Sequence, residues 1–151
     1  MKLIYNIIVL CLGLFLSLSA KSELKIDVSG AVSEPTPIAI PYFVGDSEYA
    51  KTITDILVSD LERTGLFRLV NRDAYIQSIE GINTRPIFKD WQAINAHALL
   101  YGTVEKTETG DLKVSYRLWD IFAQSQMDAK VLSTKLNAER KIAHMIADSV
   151  Y

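Results

Sequence analysis

The first residues after position 23 alternate between apolar and polar side chains. Apolar residues occupy every second position of residues 24–28, which predicts a short strand with one apolar face. The following stretch, residues 29–37, contains glycine and proline and predicts a loop or mobile link. Residues 38–40 form a short apolar run that ends at Pro41 and predict a second strand.

A longer stretch with helical periodicity follows. Asp46 or Ser47 can cap its start and Gly65 can end it. Its apolar residues recur at helical spacing and are Tyr49, Ile53, Ile56, Leu57 and Leu61. The next predicted elements are a strand over residues 66–70, a helical turn over 73–79, a connection over 81–86 and a short helix over 90–95.

The second half of the chain predicts an antiparallel meander and a closing helix. The strand candidates are residues 98–106, 112–121 and 127–136, with a turn at residues 109–111. Asn137 can cap the last helix, whose apolar stripe is Ile142, Met145, Ile146 and Val150. Together the elements predict an α/β (α+β) fold in which a mixed sheet of about five strands is flanked by helices.

The amino terminus has the features of a cleavable signal peptide. Met1 and Lys2 precede an apolar stretch, and small residues follow at positions 17, 19, 20 and 22, so residues 1–22 are predicted to be removed. An uncleaved anchor is the alternative, but the apolar run is short for a membrane span. The single cysteine, Cys11, follows a leucine rather than the small residue that lipidation requires.

Composition narrows the class of protein. A chain of 151 residues with 49% hydrophobic residues suits one domain after signal removal. The net charge of −2 and the lack of a long basic run argue against nucleic acid as a partner. The predicted mature chain has no cysteine, so disulfides and thiol chemistry are excluded.

No residue pattern indicates catalysis, a metal site or a cofactor. His97 is interpreted as a polar residue at the start of a strand rather than a catalytic base. His144 and Asp148 have a spacing that suits metal binding, but a helix salt bridge uses the same spacing and a third ligand is missing. An aromatic group that would suit base stacking is instead interpreted as core and cross-strand packing: Tyr116, Trp119 and Phe122.

A binding role is therefore the leading hypothesis. An alternating strand on a flexible link can add to the sheet edge of a partner protein. The same residues 24–28 can equally form an edge strand of their own domain, and the pattern alone leaves both alternatives open.

Several segments resemble the amino-terminal domain of the TolB family of the Tol-Pal envelope system. Residues 24–30 resemble the family's N-terminal segment, and residues 37–43 and 117–121 resemble two of its strands. Single matches lie between them at Ile53, Asp60, Leu61, Gly65, Phe67, Arg72, Trp91, Ala96, Gly102 and Val104. The closing helix carries the most specific pattern, formed by Arg140, Ala143, His144, Ile146, Ala147 and Asp148.

The resemblance implies a non-catalytic periplasmic protein with a fold like the anticodon-binding domain of some tRNA synthetases. It implies a signal peptide over residues 1–22, a mobile segment and linker over 23–36 and a domain over 37–151. It also implies that the carboxy-terminal domain of TolA is bound by the residues Leu24, Lys25, Ile26, Asp27, Val28, Ser29, Gly30, Ala31, Val32 and Ser33.

The family's other properties are expected to reach this chain only in part. The family links TolA with the outer-membrane lipoprotein Pal, maintains outer-membrane integrity and its invagination during cell division, and is implicated in protein import. Its six-bladed β-propeller is missing here, so we expect a fragment or an interrupted gene, and only indirect contact with Pal. The alternative is a regulatory outer-membrane lipoprotein, related to curli-secretion or peptidoglycan-synthase activators, and an enzyme is the third option.

Overall fold

The computed structural model describes residues 34–151, which form six strands and three α-helices. The predicted signal peptide and the predicted strand at residues 24–28 lie outside the described residues. The strands are β1 (Thr36–Ala39), β2 (Val44–Gly45), β3 (Phe67–Leu69), β4 (Ala98–Lys106), β5 (Asp111–Asp120) and β6 (Ser125–Lys135). The helices are α1 (Ser47–Arg63), α2 (Phe88–Ala93) and α3 (Glu139–Val150), with a 3-10 turn at Arg72–Ala74.

All six strands form one mixed sheet, in which five strands follow the order β3-β1-β4-β5-β6 and β2 lies off this path. β1 is parallel to both β3 and β4, and β4, β5 and β6 form the predicted antiparallel meander. The two-residue strand β2 also pairs with β4, farther along the same edge as β1. The predicted fold class is confirmed. The sheet has one strand more than expected because Val44 and Gly45 are too few residues to show an alternating pattern.

Helix α1 confirms the long helix predicted from periodicity. Ile53, Leu57 and Leu61 are fully buried along one stripe and pack against the sheet. Asp46 is the N-cap residue, although its side chain makes no capping hydrogen bond. The helix ends at Arg63, and Gly65 follows with a φ of +70°, a left-handed conformation that glycine adopts without strain.

Helix α3 packs beside α1 on the same face of the sheet and corrects two predictions. Its N-cap is Ala138 and not Asn137, since the chain first makes a turn in which the Ala138 N–H donates to the carbonyl oxygen of Lys135. Met145 is 44% exposed, so the predicted stripe is partly wrong. The residues that α3 buries in the core are Ile142, Ala143, Ile146 and Ala147.

A second, smaller core lies on the opposite face, under α2 and the irregular residues around it. Trp91 of α2 is fully buried there, beside the β4 residues Leu99 and Tyr101. The predicted helical turn over residues 73–79 is wrong beyond Ala74. The backbone becomes extended at Tyr75, whose hydroxyl accepts from the Ile40 N–H at 2.9 Å and thereby ties this segment to the end of β1.

Candidate functional site

The predicted binding residues 24–33 lie outside the described residues, so the site that the structure offers is the place where they join the domain. Glu34 and Pro35 are exposed, and β1 begins at Thr36. The Thr36 N–H donates to the carbonyl oxygen of Leu66 at 2.8 Å, and the carbonyl oxygen of Pro37 accepts from the His97 N–H at 2.8 Å. The chain is therefore held from both sides as it enters the sheet.

An apolar groove opens beside this junction, at the end of the sheet where β1 begins. Its volume is about 500 Å³, and we call it the basal groove. Five strands, β1, β3, β4, β5 and β6, contribute to its walls together with the last residue of α3. Its lining residues are Thr36, Phe67, His97, Ala98, Leu118, Asp120, Phe122, Met127 and Val150.

Two exposed apolar residues of the basal groove come from the hairpin of β5 and β6, Phe122 from its turn and Met127 from strand β6. Asp120 Oδ1 accepts hydrogen bonds from the N–H groups of Phe122 and Ala123, at 2.9 and 2.7 Å, which fixes this turn. A bulge in β6 then shifts the register between Leu118 and Trp119. Phe122 is left 53% exposed and Met127 62% exposed, so the groove offers two large apolar side chains to a partner.

A second, more polar cavity of about 330 Å³ lies at the same junction and includes Pro35 in its lining. It is lined in part by Arg68, Asn95 and His97, with Glu34 at its rim. His97 lines both cavities, and its ring packs edge-on against Phe122 with 4.8 Å between the ring centroids. His97 lies immediately before β4, as predicted, and holds this junction through its backbone and its ring.

The other histidine corrects a prediction about its partner. His144 of α3 contacts the carboxylate of Asp60 on α1 through Nδ1, and Asp60 also accepts a hydrogen bond from Arg63 at 2.7 Å. The predicted pairing with Asp148 on the same helix is not what the structure shows, because His144 faces the neighbouring helix. Within residues 34–151, no three His, Cys, Asp or Glu side chains are close enough to hold a metal ion.

The predicted aromatic group is confirmed as packing at two of its three positions. Tyr116 is 1% exposed, and Trp119 packs against the second core and donates to the Tyr101 hydroxyl at 3.2 Å. Phe122 is the exception, since it lies in the exposed turn. This exposure could not be predicted from the sequence, because it depends on which elements surround that turn.

The Tyr116 hydroxyl donates to Asp128 at 2.6 Å and connects β5 with β6. This hydrogen bond is the main cause that lowers the pKa of Asp128, with help from Lys130. Burial is the main cause that raises the pKa of Tyr116. Lys130 also donates to Ser149 at 3.0 Å, so the network fastens the end of α3 to β6 beside the basal groove.

The basal groove was missed by sequence reasoning. Phe67, Leu118 and Val150 come from three separate elements, and each one alone is an ordinary apolar residue of a strand or helix. Only the order of strands in the sheet brings them together.

Among residues 34–151, no helix is both long enough and apolar enough to span a bilayer.

Comparison with proteins of known structure shows the same fold in several solved structures. The domain resembles TolB from Acinetobacter baumannii with a TM-score of 0.65 and 24% identity, over 78% of this chain and 27% of that one. It resembles the LpoB C-terminal domain from Salmonella enterica with a TM-score of 0.53 and 12% identity, over 70% and 86% of the two chains. Lipoprotein GNA1162 from Neisseria meningitidis gives a TM-score of 0.51 and 17% identity, over 77% and 94%. A likeness to a lipoprotein therefore accounts for the fold alone.

Sequence comparison distinguishes the TolB family from the alternative of a regulatory outer-membrane lipoprotein. The TolB amino-terminal domain family matches residues 24–127, which include the whole predicted binding segment. The Tol-Pal system protein TolB of Paramagnetospirillum magneticum is 38% identical over 144 residues, which are 93% of this chain and 32% of that protein. The chain thus spans about a third of that relative's length. On these matches the chain belongs to the TolB amino-terminal domain family.

Proposed function

We propose that the chain is a non-catalytic, periplasmic protein-binding component of the Tol-Pal system. Residues 24–33 bind the carboxy-terminal domain of TolA by adding a strand to its sheet. Contact with Pal is indirect. In this role the protein contributes to outer-membrane integrity and invagination during cell division, and to protein import.

The observation that carries this proposal is the family match, which begins at Leu24 and so includes the binding segment. The geometry of the junction supports it. An extended segment covers about 3.3 Å per residue, so residues 24–33 can reach about 30 Å from the domain. That distance is enough to pair along a full partner strand while Thr36 stays fixed in the sheet.

The test is calorimetric titration of the secreted chain with the TolA carboxy-terminal domain. Deletion of residues 24–33 is expected to abolish binding and to leave the thermal unfolding temperature unchanged, because the described core lies in later residues. Binding that survives the deletion would contradict the proposal. A deleted chain that fails to fold would contradict the claim that this segment is separate from the core.

A matched pair of point variants tests the strand mechanism itself. Ile26→Ala removes an apolar side chain from the face that alternation predicts to be buried, which costs about 1.5–3 kcal/mol. Affinity should fall about 10-fold to 100-fold. Lys25→Ala changes the adjacent residue on the opposite face and should change affinity less than about threefold. Equal losses in both variants would show that the segment does not bind as a strand with one buried face.

A further inference from the structure

The link between the proposed binding segment and the domain is short. Ser33 is the last residue of that segment, and Thr36 is the first residue of β1. Three residues of extended chain cover about 10 Å. Pro35 lies in this link, fixes its own φ and favours an extended conformation at Glu34, so the link is also stiff. A partner bound as far as Ser33 is therefore kept within about 10 Å of the start of β1.

That distance is small compared with a protein domain. A globular domain of about 100 residues has a radius of gyration of about 13 Å. A partner domain paired with residues up to Ser33 must therefore lie against the surface around Thr36. The basal groove is part of that surface, because Thr36 itself lines the groove. The length of the link thus places the partner at the basal groove.

The basal groove also has the composition and the rigidity of a docking site. Apolar side chains form most of its lining, together with the polar residues Thr36, His97 and Asp120. Phe122 and Met127 are more than half exposed, and their residue types are enriched in protein interfaces. The two hydrogen bonds to Asp120 hold the turn that carries Phe122, so little conformational freedom is lost when a partner docks there.

We propose that the partner domain that takes up residues 24–33 also docks on the basal groove, with an apolar side chain of the partner packed against Phe122 and Met127. This inference rests on the proposed function, because the binding segment is what brings the partner to the groove. It deepens that function, since the folded domain then supplies part of the interface. The segment supplies the paired strand, and the groove adds apolar contact area.

The test compares two binders in calorimetric titrations with the TolA carboxy-terminal domain. One is the secreted chain, and the other is a synthetic peptide of residues 24–33. The peptide has the pairing segment but lacks the groove. Burial of the exposed half of one large apolar side chain changes affinity about 4-fold to 12-fold. The groove offers two such side chains, so the peptide should bind at least about 10-fold more weakly than the chain.

Point variants of the groove give the sharper comparison. Phe122→Ala and Met127→Ala should each weaken binding of the secreted chain about 4-fold to 12-fold. Ile76→Ala and Met145→Ala are the matched controls, since both residues are exposed and neither lines the groove. Affinity in the controls should stay within about twofold of the parent chain. Circular dichroism confirms that each variant is folded.

The contrary results distinguish this inference from the proposed function. Groove variants that bind like the parent chain, or a peptide that binds as tightly as the chain, would overturn the inference and leave the segment as the whole interface. Groove variants that bind more tightly would overturn it in favour of residues 24–33 of the same chain as the occupant. A dimer of the free chain that Phe122→Ala dissociates in sedimentation velocity would overturn it in favour of a second copy. Failure of both peptide and chain to bind would refute the proposed function, and this inference with it.

Discussion

The buried hydroxyl of Thr54 on α1 contributes to the stability of this domain. Thr54 is fully buried, and its Oγ1 accepts from the Phe43 N–H at 3.1 Å while donating to the carbonyl oxygen of Ala50 at 2.7 Å. Phe43 lies between β1 and β2 and is itself buried, so its N–H has no access to water. The hydroxyl therefore holds the chain in the irregular step between the two strands.

Thr54→Val keeps the shape and the branched Cβ but removes the acceptor. An unsatisfied buried N–H costs about 1–3 kcal/mol, whereas the Ala50 carbonyl keeps its helical hydrogen bond. We expect a loss of about 2 kcal/mol in the free energy of unfolding, or about 6–10 °C in Tm for a domain of this size. Urea unfolding, monitored by circular dichroism, measures the loss in free energy of unfolding.

Thr52→Val on the same helix is the matched control, since Thr52 is only partly buried. The free energy of unfolding of Thr52→Val should stay within about 0.5 kcal/mol of that of the parent chain. The reasoning is refuted if Thr54→Val is as stable as the parent, or if the control loses as much.

Two further predictions concern close packing and pH. At Gly102 an added Cβ would lie 2.5 Å from the Phe43 ring, so Gly102→Ala should cost about 3 kcal/mol in urea unfolding, while Gly81→Ala, with no atom within 4 Å, should cost under about 0.5 kcal/mol. Equal effects would contradict this packing argument. The pKa of Asp128 is lowered in the folded state chiefly by Tyr116, so its stabilisation is present at neutral pH and is lost as the pH falls through that lowered pKa. Tyr116→Phe should therefore cost about 1–2 kcal/mol at pH 7 and much less near pH 2, and a loss of equal size at both pH values would refute the assignment.

Local patterns were sufficient for the elements that bury one regular face. The periodicity around Ile53 and Leu57 predicted α1, and the alternation of residues 98–136 predicted the meander, because burial of one face leaves a repeat in the sequence. The step at Phe43, the strand β2 and the segment after Ala74 left no repeat. They are fixed by contacts with other parts of the chain: Phe43 by Thr54, β2 by pairing with β4, and the segment after Ala74 by the hydrogen bond from the Ile40 N–H to the Tyr75 hydroxyl.

The same distinction applies to the candidate site. The proposed binding segment has a local signature, the alternation of apolar and polar residues over positions 24–28. A groove has no such signature, because Phe67, Leu118 and Val150 become neighbours only when the strand order is known. The partner of His144 was mispredicted for the same reason, since Asp60 is distant in sequence.

The position of β1 in the sheet bears on how the proposed segment would work under load. A binding segment attached to an edge strand could be peeled away one hydrogen bond at a time. Here the segment leads into β1, which lies between the parallel strands β3 and β4 and is held on both sides by backbone hydrogen bonds. Ile38 and Ala39 are fully buried, one in each core. A pull along β1 must therefore shear its pairing with β3 and with β4 and expose both cores together. Tension from a bound partner is thus borne by the centre of the domain. This arrangement suits a protein proposed to link components of the cell envelope.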